Sequence, residues 1–275
     1  MKFISDITVR CVQQMGGDLS IVRAARVSTL GGPAADAEES PDAQRGLIRY
    51  LMRHRHGTPF ECGAATFLVH APIFVWREWH RHRWMSFNEE SGRYKTLDPV
   101  FYIPPRDRPM MKVEGWKPGR PKFLTLNEHA ANGAKCSRCK GTGNQWKMGG
   151  GEESCSWCDG DAKFRPDIEH GSFCSRMRAT YAESYKCYEG NLAMGVDPGL
   201  ARDCLPVGIY SSCYVTANPR AIMAFLSLRT HDEDAAFVSY PLYEIEVAAK
   251  ALESIFAESW PIAHAAFNEF GRVAP

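Results

Sequence analysis

The sequence predicts a mixed α/β (α+β) fold carrying a small metal-binding insert, and three observations lead there. Residues 65–75 (Ala-Thr-Phe-Leu-Val-His-Ala-Pro-Ile-Phe-Val) and 209–216 have strand character. Around them, apolar side chains recur at helical spacing. From about residue 112 to 172 that periodicity fades, Gly, Lys, Pro and Cys accumulate, and two close cysteine pairs appear.

Taken in order, residues 3–9 (Phe-Ile-Ser-Asp-Ile-Thr-Val) read as a short strand, followed by helices near 20–26 and over 41–53. Leu47, Ile48, Leu51 and Met52 give the second helix one apolar face. Pro72 interrupts the strand of 65–75 or opens a new element, because proline cannot donate to a ladder. Tyr181, Tyr185, Tyr188 and Leu192 mark a helix that breaks at Gly195-Val196-Asp197-Pro198-Gly199. After the strand of 209–216, Asn218-Pro219-Arg220 leads into a helix whose buried face carries Ile222, Met223, Phe225, Leu226 and Leu228, with Arg229 near its end. The Ala-rich stretch 241–270 forms a long packing helix broken near Pro261. No internal repeat is evident. The expected organisation is one body made of residues 1–111 and 173–275, with 112–172 inserted as a zinc-ribbon-like module.

A chain of 275 residues can bury a substantial core. Its formal net charge of +1 argues against a surface devoted to nucleic acid. No apolar run is long enough to span a membrane, and Met1-Lys2-Phe3-Ile4-Ser5-Asp6 lacks the apolar core of a signal peptide. A soluble, cytoplasmic protein is expected. Ten cysteines in so long a chain, without a secretion signal, do not read as a disulfide scaffold. Cys136-Ser137-Arg138-Cys139 and Cys155-Ser156-Trp157-Cys158, separated by fifteen residues, have the spacing of a tetrahedral structural zinc site. The glycines between them permit tight turns, and a segment with so few aliphatic side chains needs its metal to stay ordered. Cys11, Cys62, Cys174, Cys187, Cys204 and Cys213 are expected as ordinary core or surface residues.

The densest chemistry lies in Arg81-His82-Arg83-Trp84-Met85-Ser86-Phe87-Asn88-Glu89-Glu90-Ser91-Gly92-Arg93-Tyr94, which reads poorly as either an amphipathic helix or a strand. Guanidinium groups offer rigid forked donors suited to phosphates and heterocycle edges. The segment follows a rigid element, a useful position for a site. On composition alone, a solvated basic turn fits, as does the basic patch of a zinc-ribbon nucleic-acid-binding protein.

The order of these residues resembles the signature of the flavin-dependent thymidylate synthases. Asp18-Leu19-Ser20 with Arg23-Ala24-Ala25-Arg26-Val27-Ser28, then Leu51-Met52-Arg53-His54-Arg55-His56-Gly57-Thr58-Pro59-Phe60-Glu61, resemble the family's earlier blocks. Phe101-Tyr102-Ile103-Pro104-Pro105, Ala201-Arg202-Asp203-Cys204-Leu205-Pro206 and Asn218-Pro219-Arg220 through Phe225-Leu226-Ser227-Leu228-Arg229 follow in the expected order. The resemblance implies methylation of deoxyuridine monophosphate at C5. It implies methylenetetrahydrofolate as carbon donor, flavin adenine dinucleotide (FAD) as hydride carrier and a reduced nicotinamide (NADPH) as reductant, in a homotetramer with sites built from several subunits. Typical members carry no such insert. None of the ten cysteines stands at a family catalytic position, so nucleophilic attack by cysteine is not expected. A C5-hydroxymethylase, or a methylase of another pyrimidine monophosphate such as deoxycytidine monophosphate, is the alternative on the same scaffold.

Residue by residue, the resemblance gives FAD to Thr58, Arg81, His82, Arg83, Glu89, Asn218 and Arg220. It puts the nucleotide with Glu78, Arg81, Glu89, Ser91, Gly92, Arg93, Arg202 and Arg229. Arg229 corresponds to the family's activating arginine and His56 to a histidine near flavin and folate; these two are the expected catalytic residues. No Ser-His-acid pattern activates Ser91, so hydrogen bonding is its expected role. Two positions depart from the family: Glu78 stands where glutamine is usual, with Arg77 and His80 as candidate neutralising neighbours, and Ala224 stands where an asparagine usually helps hold flavin.

Overall fold

The computed structural model describes residues 1–32, 39–117, 122–147 and 149–275, which fall into two compact units. The first comprises Asp6–Ser91 and Tyr210–Pro275. Its sheet has the order β2-β3-β10-β4, all antiparallel: β2 (Thr8–Met15), β3 (Ala64–Pro72), β10 (Tyr210–Ala217) and β4 (Ser86–Glu89). Successive side chains on a strand face opposite ways. Ala65, Phe67, Val69 and Ala71 of β3 and Cys213, Val215 and Ala217 of β10 are therefore buried, while Thr66, Leu68, His70 and Ser212 are half-buried and Tyr214 is exposed. The buried face shares one core with α1 (Asp18–Leu30), α2 (Pro41–Arg53), α3 (Ile73–Trp79), α7 (Pro219–Arg229), α8 (Tyr243–Ser259) and α9 (Pro261–Glu269). Each large apolar side chain so buried contributes about 1.5–3 kcal/mol.

Several expectations are refined. Residues 3–9 are not one strand: β1 (Lys2–Ile4) belongs to the other unit, and β2 begins at Thr8. Pro72 ends β3 and, with extended backbone, precedes the first turn of α3. Part of the polar signature does form a strand, because residues 86–89 need only pair at the sheet edge with β10, in the register Glu89 opposite Cys213. The break at Pro261 is as read from the sequence, and Asp18 satisfies the donors it exposes. The Asp18 carboxylate accepts the Ile262 and Ala263 N–H groups at 2.8 and 2.9 Å. Burial raises its pKa while those two bonds oppose the rise.

The second unit comprises Met1–Ser5 and Gly92–Ile209. Here β1 runs parallel to β5 (Val100–Tyr102). The 28-residue helix α5 (Pro166–Ala193) buries Cys174, Tyr181, Tyr185 and Tyr188. Tyr181 stacks on Phe101 at 4.7 Å, the Tyr185 hydroxyl donates to the Leu97 carbonyl at 2.9 Å, and the Leu97 N–H donates to the Tyr188 hydroxyl at 3.1 Å. The helix α6 (Pro198–Ala201) runs into a 3₁₀ turn, Arg202–Cys204. The region expected as an insert lies within this unit. It contains the β6 (Met111–Lys112)/β7 (Phe123–Leu124) pair, the short helix α4 (Leu126–Ala131) and the hairpin of β8 (Asn144–Trp146) and β9 (Glu152–Ser154). No helix among the described residues is long and apolar enough to cross a membrane.

Candidate active site

The charged centre of the first unit is built where α3 ends and α7 ends. Trp79 of α3 stacks on Phe225 of α7 at 4.6 Å, which locks the two helices side by side. That packing brings Arg229, the last residue of α7, to Glu78 and His82. Arg229 donates from Nη1 to Glu78 Oε2 at 2.9 Å, from Nη2 to the Glu78 carbonyl at 3.2 Å and from Nε to His82 Nε2 at 3.0 Å. The neutraliser of Glu78 is thus Arg229, a residue far away in sequence, and neither Arg77 nor His80. A guanidinium has five N–H donors, so three commitments leave one on each terminal nitrogen. Its side chain is only 18% exposed. Burial lowers the Arg229 pKa; the Glu78 carboxylate opposes this and the nearby Arg81 cation adds to it.

Because Arg229 donates to it, His82 Nε2 must be the acceptor and Nδ1 must carry the proton. Burial, assisted by the Arg229 cation, lowers the His82 pKa to about 4, so the ring is neutral near pH 7. His82 also packs edge-on to Phe225 at 4.9 Å. A second layer fixes the neighbouring residue: Arg272 donates to the Thr230 hydroxyl at 2.9 Å and to both oxygens of Glu253 at 2.7 and 2.9 Å. Burial alone would raise the Glu253 pKa, but the hydrogen bonds of His264 and Arg272 outweigh it and bring it to about 2. None of this second layer carried a sequence signal.

His56 and Thr58 line a cleft of about 480 Å³ together with Arg26, Tyr50, Leu51 and Cys62. Arg26 and Tyr50 were not singled out from the sequence, although Arg26 lies in one of the family-like blocks. Beside the cleft, Arg220 donates from Nε to the Pro275 carbonyl at 2.8 Å and from Nη1 to Glu61 at 2.6 Å, and lies 5.3 Å from the Trp84 ring. A Cβ on Gly57 would come within 2.5 Å of Arg220 Cζ, so glycine is what admits that guanidinium. Asn218 caps α7, its Oδ1 accepting the Ala221 N–H at 2.8 Å. Its amide nitrogen remains to serve a ligand. Arg81 and Arg83 are exposed on the turn after α3, and Glu89 is half-buried on β4. The cleft lining offers Arg26, His56 and Thr58 as polar partners, with Arg220 beside it against Gly57, a donor chemistry that suits a phosphate-bearing cofactor.

Gly92, Arg93 and Arg202 belong to the second unit, where they cluster. A Cβ on Gly92 would lie 3.1 Å from Arg202 Cδ, and Gly199 would bring one to 3.5 Å from Arg93 Cγ. Ser91 ends the adjoining stretch of the first unit.

Cys136, Cys139, Cys155 and Cys158 are all buried, with their sulfurs within 4.8 Å of one another. The Sγ–Sγ separations are 3.9 Å for Cys136/Cys155 and 3.8 Å for Cys139/Cys158. A tetrahedron with Zn–S bonds of about 2.3 Å has edges of about 3.8 Å. The donor set therefore fits zinc in size as well as in kind. Around it runs a duplication that corrects the absence of repeats noted above. Cys-Ser-x-Cys-x-Gly-x-Gly at 136–143 matches Cys-Ser-x-Cys-x-Gly-x-Ala at 155–162. Equivalent positions share left-handed backbone: Lys140 (φ 54°), Gly141 and Gly143 against Asp159 (φ 51°), Gly160 and Ala162. The halves exchange hydrogen bonds, Cys155 N–H to Gly143 O and Cys136 N–H to Ala162 O, each 2.8 Å. N–H groups of Gly141 and Gly143 also point at the Cys139 sulfur, and those of Gly160 and Ala162 at Cys158.

Comparison with known proteins identifies the family. Residues 10–262 match the family model described as thymidylate synthase complementing protein. A flavin-dependent thymidylate synthase of Streptomyces coelicolor is 42% identical over 98% of this chain and 94% of its own length, and one of Tropheryma whipplei is 40% identical over 99% and 97%. Among solved structures, PolB of Streptomyces cacaoi, described as a UMP/dUMP methylase bound with 5-Br dUMP, superposes with a TM-score of 0.77 at 38% identity, covering 100% of both chains. A second PolB structure, with 5-Br UMP, gives 0.75. The chain is a member of the flavin-dependent thymidylate synthase family.

Proposed function

We propose that the protein methylates deoxyuridine monophosphate at C5, giving thymidylate, with methylenetetrahydrofolate as carbon donor and NADPH as reductant through FAD. The observation that carries this reading is the fork of Arg229, held by Glu78 and His82 with one N–H left on each terminal nitrogen. FAD, when bound, supplies the hydride that no ordinary side chain can. The chain's own residues do the rest. Arg229 presents a fixed cation to the pyrimidine's polar edge and stabilises negative charge developing as electron density moves toward C5. Neutral His82 and Glu78 orient that cation. Arg81, Glu89, Ser91, Gly92, Arg93 and Arg202 hold the nucleotide, arginine pairing with phosphate as a fork. Thr58, Arg81, His82, Arg83, Glu89, Asn218 and Arg220 hold FAD, and His56 stands near flavin and folate.

The reading extends to a cytoplasmic homotetramer and to a catalytic body of residues 1–111 and 173–275 with a zinc-ribbon-like insert at 112–172. Structural zinc sits on Cys136, Cys139, Cys155 and Cys158. A second substrate, the ribonucleotide UMP, is favoured by the relative described as a UMP/dUMP methylase.

The test is competition between deoxyuridine, deoxycytidine and uridine monophosphates, with products identified by mass, in native protein and Glu78→Gln. An ionised carboxylate accepts hydrogen bonds but cannot donate one as glutamine can. The expected outcome is preference for the uracil nucleotides in both proteins. Native preference for the cytosine nucleotide that reverses in Glu78→Gln would replace this function with the cytosine-specific alternative.

A further inference from the structure

The cysteine module has almost no apolar core of its own: among the described residues the four cysteines cluster only with the partly buried Trp157. A segment this small rarely holds itself together without a metal or disulfides. It is nevertheless attached at a mechanically important place, the first turn of α5. That helix begins without a side-chain cap, its N-cap residue being Arg165. Its first-turn side chains instead reach outward. Glu169 accepts the Ser137 N–H at 3.0 Å through Oε1 and the Ser137 hydroxyl at 2.6 Å through Oε2, so a residue lying between two metal-site cysteines is gripped by both carboxylate oxygens. Asp167 accepts from Arg106 Nε at 2.6 Å, Arg106 also donates to Asn127 Oδ1, and His170 Nε2 lies 3.1 Å from the Pro104 carbonyl. Phe164 donates its N–H to Ala134 at 3.1 Å and meets the His129 ring edge-on at 5.0 Å.

We propose that the insert is a metal-closed clasp: zinc ties the two cysteine knuckles together, and the tied knuckle, through Ser137 and Glu169, fixes the start of α5 against the segment around Pro104–Arg106. This rests on the zinc reading of the four cysteines. Without the metal, Ser137 is carried by a loop with no core, and the grip on Glu169 loses its anchor. The far half of α5 has independent support from Tyr185, Tyr188 and Leu97. Loosening is therefore confined to the near end and to the knuckles.

The experiment uses the whole protein purified without chelator. Zinc content is measured first; then amide hydrogen exchange is followed before and after zinc is displaced by a mercurial with chelator, and again after zinc is restored. Exchange at residues 169–173, the first amides of α5 with helical acceptors, is expected to quicken on the order of tenfold or more on stripping, to recover on restoration, and to stay unchanged at 181–192. Ser137→Ala and Glu169→Gln, which leave all four ligands intact, are expected to keep zinc yet quicken exchange at 169–173 by several-fold, about the weight of one ordinary hydrogen bond. Native protein without zinc overturns the metal reading and the clasp together. Zinc present, but exchange at 169–173 unmoved by stripping, overturns the clasp alone and leaves the metal site standing. Acceleration on stripping with no change in either variant removes the Ser137–Glu169 grip and overturns the clasp as drawn.

Discussion

Arg229 concentrates the chemistry in one side chain whose surroundings are fixed before any ligand arrives. If its cation stabilises the reacting pyrimidine and does not retain cofactor, Arg229→Ala should bind FAD nearly as the native protein does while methyl transfer falls by about 10²–10³, the usual loss for one preorganised group. A single-turnover rate at saturating nucleotide that matches the native protein would remove Arg229 from the mechanism. His82 supplies a pH signature. Its pKa in the folded chain is about 4, below the ordinary 6.5 of the unfolded chain. Between these values the unfolded state binds a proton that the folded state refuses, so stability falls as pH drops from about 6.5 to about 4 and is unaffected by this group above that interval. His82→Gln places a side-chain oxygen about where Nε2 accepts from Arg229 but does not titrate. Denaturant midpoints followed across the interval should decline less steeply in the variant; parallel declines would mean that His82 is not the group responsible. Glu253, at about 2, acts in a separate and more acidic window.

Among the elements, α9 shows how remote segments are joined. Its first N–H groups are satisfied by Asp18 at the start of α1. Asp18→Ala leaves those donors buried without a partner and should lower stability by about 2 kcal/mol, with Asp18→Asn recovering part of it. Thermal unfolding of the two variants reads this directly, and an unaffected alanine variant would show that solvent or another group serves those donors. Elements with a one-sided apolar pattern were legible in the sequence. Leu47, Ile48, Leu51 and Met52 announced α2, and the strand-forming run around Phe67 and Val69 announced β3. β4 was not legible, because an edge strand reading Ser-Phe-Asn-Glu draws its stability from pairing with β10 and not from burial. The first half of α5 was hidden for a related reason: between Pro166 and Thr180 only Cys174 is buried, and side-chain grips replace the apolar stripe. The cysteine spacing was plain. The duplication around it is written in the sequence as well, Cys-Ser-x-Cys-x-Gly recurring in both halves, but was passed over; the shared left-handed backbone extends the equivalence to Ala162 against Gly143.

At the scale of the whole molecule, the signature from Arg81 to Tyr94 is one of the places where the chain passes between the two units, Ser91 ending a stretch of one and Gly92 beginning a stretch of the other. Sequence order was enough to name the family because the charged residues are spaced by that topology. The Glu78–Arg229 pairing was beyond it, since 151 positions separate the partners. The central claim is that this scaffold performs flavin-dependent C5 methylation, and one measurement bears on it most directly. Protein stripped of flavin, and the same protein reconstituted with FAD, are incubated with deoxyuridine monophosphate, methylenetetrahydrofolate and NADPH, and the nucleotide is weighed by mass spectrometry. The account predicts a product one methylene unit heavier, formed only by the reconstituted protein and only when folate and reductant are both present. Methylation that persists without flavin, or a product carrying a hydroxymethyl group in place of methyl, would contradict it.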